Sequence, residues 1–149
     1  MIALTNNQTI PLDIKQFEND AQKILKHLGY DDFDLGILIT DNKSIHAFNS
    51  TYREKDKPTD ILSFPFHPDL KAGERIDPEN EDEKNLGDII ISPEYVKADL
   101  ERWDKTFEER MRILLVHGIC HLLGYDHIKD EDYEVMKVKE AELLSLLQS

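Results

Sequence analysis

The chain has 149 residues, 40% hydrophobic and 33% charged, which suits one globular domain that buries a core without disulfides and excludes a fibrous or wholly disordered protein. Eighteen Lys plus Arg against 31 Asp plus Glu leave a formal charge of −13, so indiscriminate attraction to nucleic acid or anionic membrane is excluded and any polyanion must meet a local basic patch. Cys120 is the single cysteine, so folding needs no oxidising compartment; with no signal-peptide pattern in Met1–Pro11 and no long apolar window, a cytoplasmic protein that does not span a membrane is expected.

Ile2 to Leu4 suits a short edge strand. Asp13 can cap a helix whose apolar positions Ile14, Phe17, Ala21, Ile24, Leu25 and Leu28 recur at helical spacing, and Gly29 ends it. Phe33 to Thr40 reads as a strand with Leu35, Ile37 and Ile39 on one face; Asp41 or Asn42 then opens a helix to about Tyr52. Ile61 to Phe66 is the next strand. From His67 to Asn85 the chain turns polar and acidic, the composition of a mobile surface loop with no expected part in the chemistry.

Leu86 to Ser92, with Ile89, Ile90 and Ile91 in succession, predicts a strand buried on both faces, and Ser92-Pro93-Glu94 predicts a helix start. Thr106 and Glu109 form a capping box for a helix that is apolar almost all round in its later half, hence central and buried. Gly124 should stop it. Asp130 then caps a last helix to about Leu147, with Tyr133, Met136, Val138, Ala141, Leu144 and Leu147 covering the core. The expected fold is α+β: one domain over residues 1–149, a mixed sheet of about four strands packed with helices, and the histidine-bearing helix in the centre.

That helix carries His117-Gly118-Ile119-Cys120-His121-Leu122-Leu123-Gly124-Tyr125-Asp126-His127. His117 and His121 project one turn apart from one face, and a turn at Gly124 can bring His127 beside them, so the three can hold one divalent metal with a fourth position open, the mark of a catalytic zinc site. An isolated HxxxH pair suits core histidines bonded to carbonyls better than a metal; the third histidine reverses the balance, because three buried, unpaired imidazoles would be costly. His27, His46 and His67 read as ordinary surface or half-buried histidines, Cys120 as a small buried hydrophobe, and Asp126 as either a turn cap or a partner for the site.

The spacing H-x3-H-x2-G-x2-H resembles that of the metzincin zinc proteases, but the glutamate that serves them as general base directly after the first histidine is Gly118 here. The block Tyr52-Arg53-Glu54-Lys55-Asp56-Lys57-Pro58 gathers three cations in an acidic chain, either as an anion clamp or as a solvated turn paired with its own carboxylates.

Taken together, HGICHLLGYDH, YREKDKPTDILSFPF and LGDIIISPE resemble the three sequence blocks of the YbeY family of bacterial rRNA-processing proteins. The resemblance covers most of the chain and departs from the family only in the acidic segment from Pro68 to Lys84. It implies a single-strand-specific, metal-dependent endoribonuclease of the cytoplasm, acting in maturation of the 3′ end of small-subunit rRNA and in ribosome quality control. It also implies that His117, His121 and His127 hold one zinc ion, that Arg53 is catalytic, and that the partners are rRNA and the small subunit or its proteins, with neither DNA nor membrane. Two other readings stay open: a metal-dependent hydrolase of a peptide or small molecule, and a non-enzymatic ribosome-associated metal-binding factor, to which the acidic charge is suited.

Overall fold

A computed structural model describes residues 1–147. In chain order the elements are β1 (Ile2–Asn6), α1 (Ile14–Leu28), β2 (Asp34–Ile39), α2 (Asn42–Arg53), β3 (Ile61–Pro65), β4 (Asn85–Ile91), α3 (Pro93–Ala98), α4 (Phe107–Leu122) and α5 (Asp130–Ser145), with single 3-10 turns at Glu81–Glu83 and Leu100–Arg102. The strands form one mixed sheet in the order β1-β2-β4-β3. β2 runs parallel to both β1 and β4, and β3 runs antiparallel to β4 at the sheet edge. This is the expected α+β architecture.

Alternation along the strands decides which helices cover which face. Leu35, Ile37 and Ile39 of β2 and Ile89 and Ile91 of β4 point into the main core, against Phe17, Ala21, Ile24 and Leu25 of α1 and against Met111, Leu115 and Ile119 of α4. On the other face Ile90 meets Leu62 of β3 and Ile45 of α2, with Phe48 and Phe64 packed alongside. The run Ile89-Ile90-Ile91 is therefore buried on both sides, as three consecutive β-branched residues predict. Burial of each such side chain contributes about 1.5–3 kcal/mol.

The helix starts follow their caps. Asp13, Asp41 and Ser92 each accept from a first-turn N–H, and Thr106 and Glu109 form both halves of the capping box on α4. The exception is α5: Asp130 lies inside the helix, and Lys129 precedes it without a side-chain cap. The face of α5 also differs from expectation. Tyr133 and Val138 are exposed, and Ala141 faces water too; Met136 and Leu144 meet the core as expected, as does Leu147 just past the helix end, but Leu143 is buried with them, and Glu140 lies on the face turned toward α4. The segment from His67 to Asn85 is tied down: Ile76 is buried and its N–H donates to the Tyr30 hydroxyl, while Arg75 donates to the Leu28 and Gly29 carbonyls.

Candidate metal centre

His117 and His121 stand one turn apart on α4, and the end of that helix supplies the third imidazole. Gly124 takes φ +91°, the left-handed conformation that stops a helix; its N–H donates to the His121 carbonyl and the Tyr125 N–H reaches back to the Cys120 carbonyl. This closure reverses the chain and carries His127 over the cleft. One ligand atom from each of the three rings lies within 4.8 Å of the other two.

The hydrogen bonds of the rings fix what they offer. His117 Nδ1 donates to Glu140 Oε2 at 3.0 Å, and His121 Nδ1 donates to the Tyr125 carbonyl at 3.0 Å. With Nδ1 protonated on each, the two Nε2 atoms that face one another at 2.9 Å both present lone pairs. Two acceptors at that distance repel unless a cation lies between them. Tetrahedral zinc, about 2.0–2.1 Å from each nitrogen, would set neighbouring nitrogens about 3.4 Å apart, within reach of small ring movements. The donor set therefore fits one borderline-soft divalent ion.

Burial, followed by the adjacent His117 ring, pushes the pKa of His121 down to about 4, which keeps its imidazole in the neutral, ligating form at physiological pH. Cys120 lies between them in sequence but is fully buried, and burial pushes its thiol up to about 12, so it is an inert part of the core. His27 and His46 pair with Glu142 and Asp56, and His67 donates to the Glu83 carbonyl; none of them joins the cluster.

Gly118 has a packing reason. A Cβ built there would lie 2.9 Å from Ile61 Cδ1 and 3.1 Å from Ile89 Cδ1, so the missing side chain is what lets α4 close onto β3 and β4. A glutamate at this position would point into that apolar contact and not toward the histidines.

The histidines floor a cleft of about 1180 Å³ that Arg53 and Lys55 also line. Arg53 ends α2. Glu54 after it takes φ 58°, and the turn beyond is anchored by buried Asn49, whose carbonyl accepts from Glu54 and Lys55 and whose amide donates to the Lys57 carbonyl. The Arg53 guanidinium donates to the Ser63 carbonyl and lies 4.9 Å over the Phe64 ring. It is held at the rim with its charge facing the cleft. Asp126 also lines the cleft, and its Oδ1 accepts from the Ile128 N–H, the turn-capping role.

Sequence reasoning missed three contributors. Glu140 orients His117 from 23 residues away. Asp60 lines the cleft, where it accepts from the Ile61 N–H and faces Arg110, itself stacked 3.7 Å over Trp103. Pro68 to Ala72, within the segment read as mobile and uninvolved, forms one wall, and the Leu70 carbonyl sits against Gly124 where any Cβ would strike it.

Over nearly its whole length the chain is similar to known proteins. The family model described as Endoribonuclease YbeY matches residues 3–148. The human protein named Endoribonuclease YbeY is 37% identical over 140 residues, 94% of this chain and 83% of its own length. A namesake from Sulfurihydrogenibium is 41% identical over 136 residues, covering 89% of this chain and 84% of that one. The solution structure of TM1509 from Thermotoga maritima superposes with a TM-score of 0.65 over 99% of this chain and 89% of that chain, at 24% identity, a likeness of fold. On the match of nearly the whole chain to the family model and to these relatives, the chain belongs to the endoribonuclease YbeY family.

Proposed function

We propose that this protein is a metal-dependent endoribonuclease specific for single-stranded RNA, in which His117, His121 and His127 hold one zinc ion and Arg53 is catalytic. Its place in the cell is maturation of the 3′ end of small-subunit rRNA and ribosome quality control, in the cytoplasm, with rRNA and the small subunit or its proteins as partners. The observation that carries the reading is the convergence, in one cleft, of three imidazoles, two of them with Nε2 atoms turned together, and an arginine clamped at the rim.

When bound, such an ion supplies Lewis acidity for a phosphate oxygen and lowers the pKa of water toward ~7. The protein's own groups do the rest. Glu140 and the Tyr125 carbonyl hold two imidazoles in the tautomer that turns Nε2 to the cleft. Arg53 meets the extra negative charge that builds on a phosphodiester as it reacts, with a fork that matches two phosphate oxygens. Its bond to Ser63 and its seat on Phe64 hold it in advance of substrate, so little reorganisation is needed. Arg53, Lys55 and Lys71 offset most of the charge of Asp60, Asp69, Asp126 and Asp132, which line the same cleft, and a bound divalent ion would turn its local charge positive.

The edge strand argues against a peptide substrate. Ser92 N–H donates to the Asp60 carbonyl and Phe66 N–H to the Leu86 carbonyl, so residues 60, 62, 64 and 66 bond inward and the backbone groups of Ile61, Ser63 and Pro65 face outward along the cleft. An extended peptide would add to this edge through those groups. Asp60 Oδ1 already takes the Ile61 N–H, Arg53 takes the Ser63 carbonyl, and Pro65 has no N–H.

Arg53→Ala protein incubated with precursor small-subunit RNA tests the reading. Cleavage should fall about 100-fold or more with zinc content unchanged. Undiminished cleavage would remove the arginine from the chemistry.

A further inference from the structure

Beside the cleft, on the α2 side of the sheet edge, lies a feature that the metal chemistry does not use. Tyr52, next to Arg53 at the end of α2, is 62% exposed. It is nonetheless held: its ring stacks on Phe48 with centroids 6.1 Å apart and meets the edge of Phe64 at 5.5 Å. Phe64 is the same ring on which the Arg53 guanidinium rests. Because β3 alternates, Ser63 lies on the cleft side of the edge strand and Phe64 on the α2 side. Arg53 therefore bridges the two sides of the sheet edge, and Tyr52, one residue before it, leaves more than half of its surface open to solvent.

We infer that Tyr52 is the stacking platform for a base of the single-stranded RNA, bound next to the nucleotide whose phosphate Arg53 receives. This rests on the reading of the cleft as an RNA site. A strand that has a phosphate at Arg53 and runs over the edge of β3 passes Tyr52, whose ring and the Arg53 guanidinium share Phe64. Aromatic stacking tolerates any base, because every base has a π face, and it requires that face to be free. In a duplex both faces are covered by neighbouring bases. The platform therefore supplies a physical reason for single-strand preference that the metal and Arg53, acting on the backbone, do not.

The test is steady-state cleavage of a short unstructured oligoribonucleotide by the zinc-loaded protein, with a series of substrates in which each nucleotide in turn is abasic. Tyr52→Phe keeps the ring, Tyr52→Leu keeps apolar cover over Phe48 and Phe64 without an aromatic face, and Tyr52→Ala removes both. In the wild type, one abasic position near the cleaved bond should raise KM about 5- to 150-fold, the range of a single base–aromatic stack. Tyr52→Leu and Tyr52→Ala should raise KM on the intact substrate by a similar factor, with kcat little changed and no further penalty from that abasic position. Tyr52→Phe should behave as wild type. A residue that only covers the α2 face would shift the thermal midpoint and leave the abasic penalty in place. Wild-type KM in Tyr52→Leu, or an abasic penalty that survives in it, overturns the inference while cleavage itself stands. Failure of the wild type to cleave the intact RNA overturns both the inference and the reading beneath it.

Discussion

Replacing Glu140 by alanine probes the metal centre without touching a proposed ligand. In the native protein Glu140 Oε2 accepts from His117 Nδ1 at 3.0 Å, with the two side chains 24% and 28% exposed. A hydrogen bond involving a charged group contributes about 1.5–3 kcal/mol, and loss of the partner that orients a ligating histidine lowers metal affinity about 10- to 100-fold. These magnitudes agree, since 1.4 kcal/mol is tenfold. Because water reaches both side chains and can replace part of the lost bond, the lower half of that range is expected. Competition titration of zinc against a chromophoric chelator measures it. Glu140→Gln keeps an acceptor oxygen but not the charge and should fall between wild type and Glu140→Ala. Glu142→Gln, whose carboxylate pairs with His27 at the surface, is the control and should leave affinity unchanged. A folded Glu140→Ala protein that binds zinc within about twofold of wild type would refute the assignment of the His117 proton to Nδ1 and the metal geometry built on it.

Gly118→Glu, which restores the protease-like pattern in sequence, should destabilise severely: overpacking against Ile61 and Ile89 costs about 1–3 kcal/mol, and a carboxylate left without a partner there costs several more. Urea unfolding within 1 kcal/mol of wild type, or about that, would contradict the packing role of this glycine. Metal-stripped protein should lose stability as pH falls from about 6.5 toward 4, because unfolded His121 takes up a proton throughout that window and the folded residue, held down to about 4, does not. The loss by pH 5 is at most about 2 kcal/mol, reduced by solvent in the open cleft; it is read as the change in the wild-type minus His121→Gln difference in unfolding free energy. A pH-independent difference would show that His121 is not held neutral by its surroundings.

Most of the scaffold was legible because local signals and burial agree. The isoleucine run of β4, the alternation of β2 and the capping box of α4 each state in a few residues what the core requires. Sheet order was not legible, since β3 enters the edge beside β4 by pairing across a long loop that has no local signature. The misreading of α5 is the informative one. Of its expected apolar positions Met136, Leu144 and Leu147 do meet the core, but Tyr133, Val138 and Ala141 do not; Leu143 is buried instead, and Glu140 falls at helical spacing between Met136 and Leu143. A carboxylate in line with three buried apolar residues has to find a partner, and that partner is His117. The three histidines were legible because i, i+4 spacing and a glycine stop are local. Asp60 and the wall from Pro68 to Ala72 were not, because only the chain reversal at Gly124 and the β3 edge bring them to the cleft.

The central claim is that the three imidazoles hold the ion on which RNA cleavage depends. Wild-type and His121→Ala proteins, purified identically to exclude contaminating ribonuclease, should be compared for bound zinc and for cleavage of precursor small-subunit RNA. The account predicts one zinc per wild-type chain, little in His121→Ala, and loss of cleavage in step with loss of metal. Cleavage by His121→Ala at the wild-type rate, or a zinc-loaded wild type that leaves the RNA intact, would contradict it.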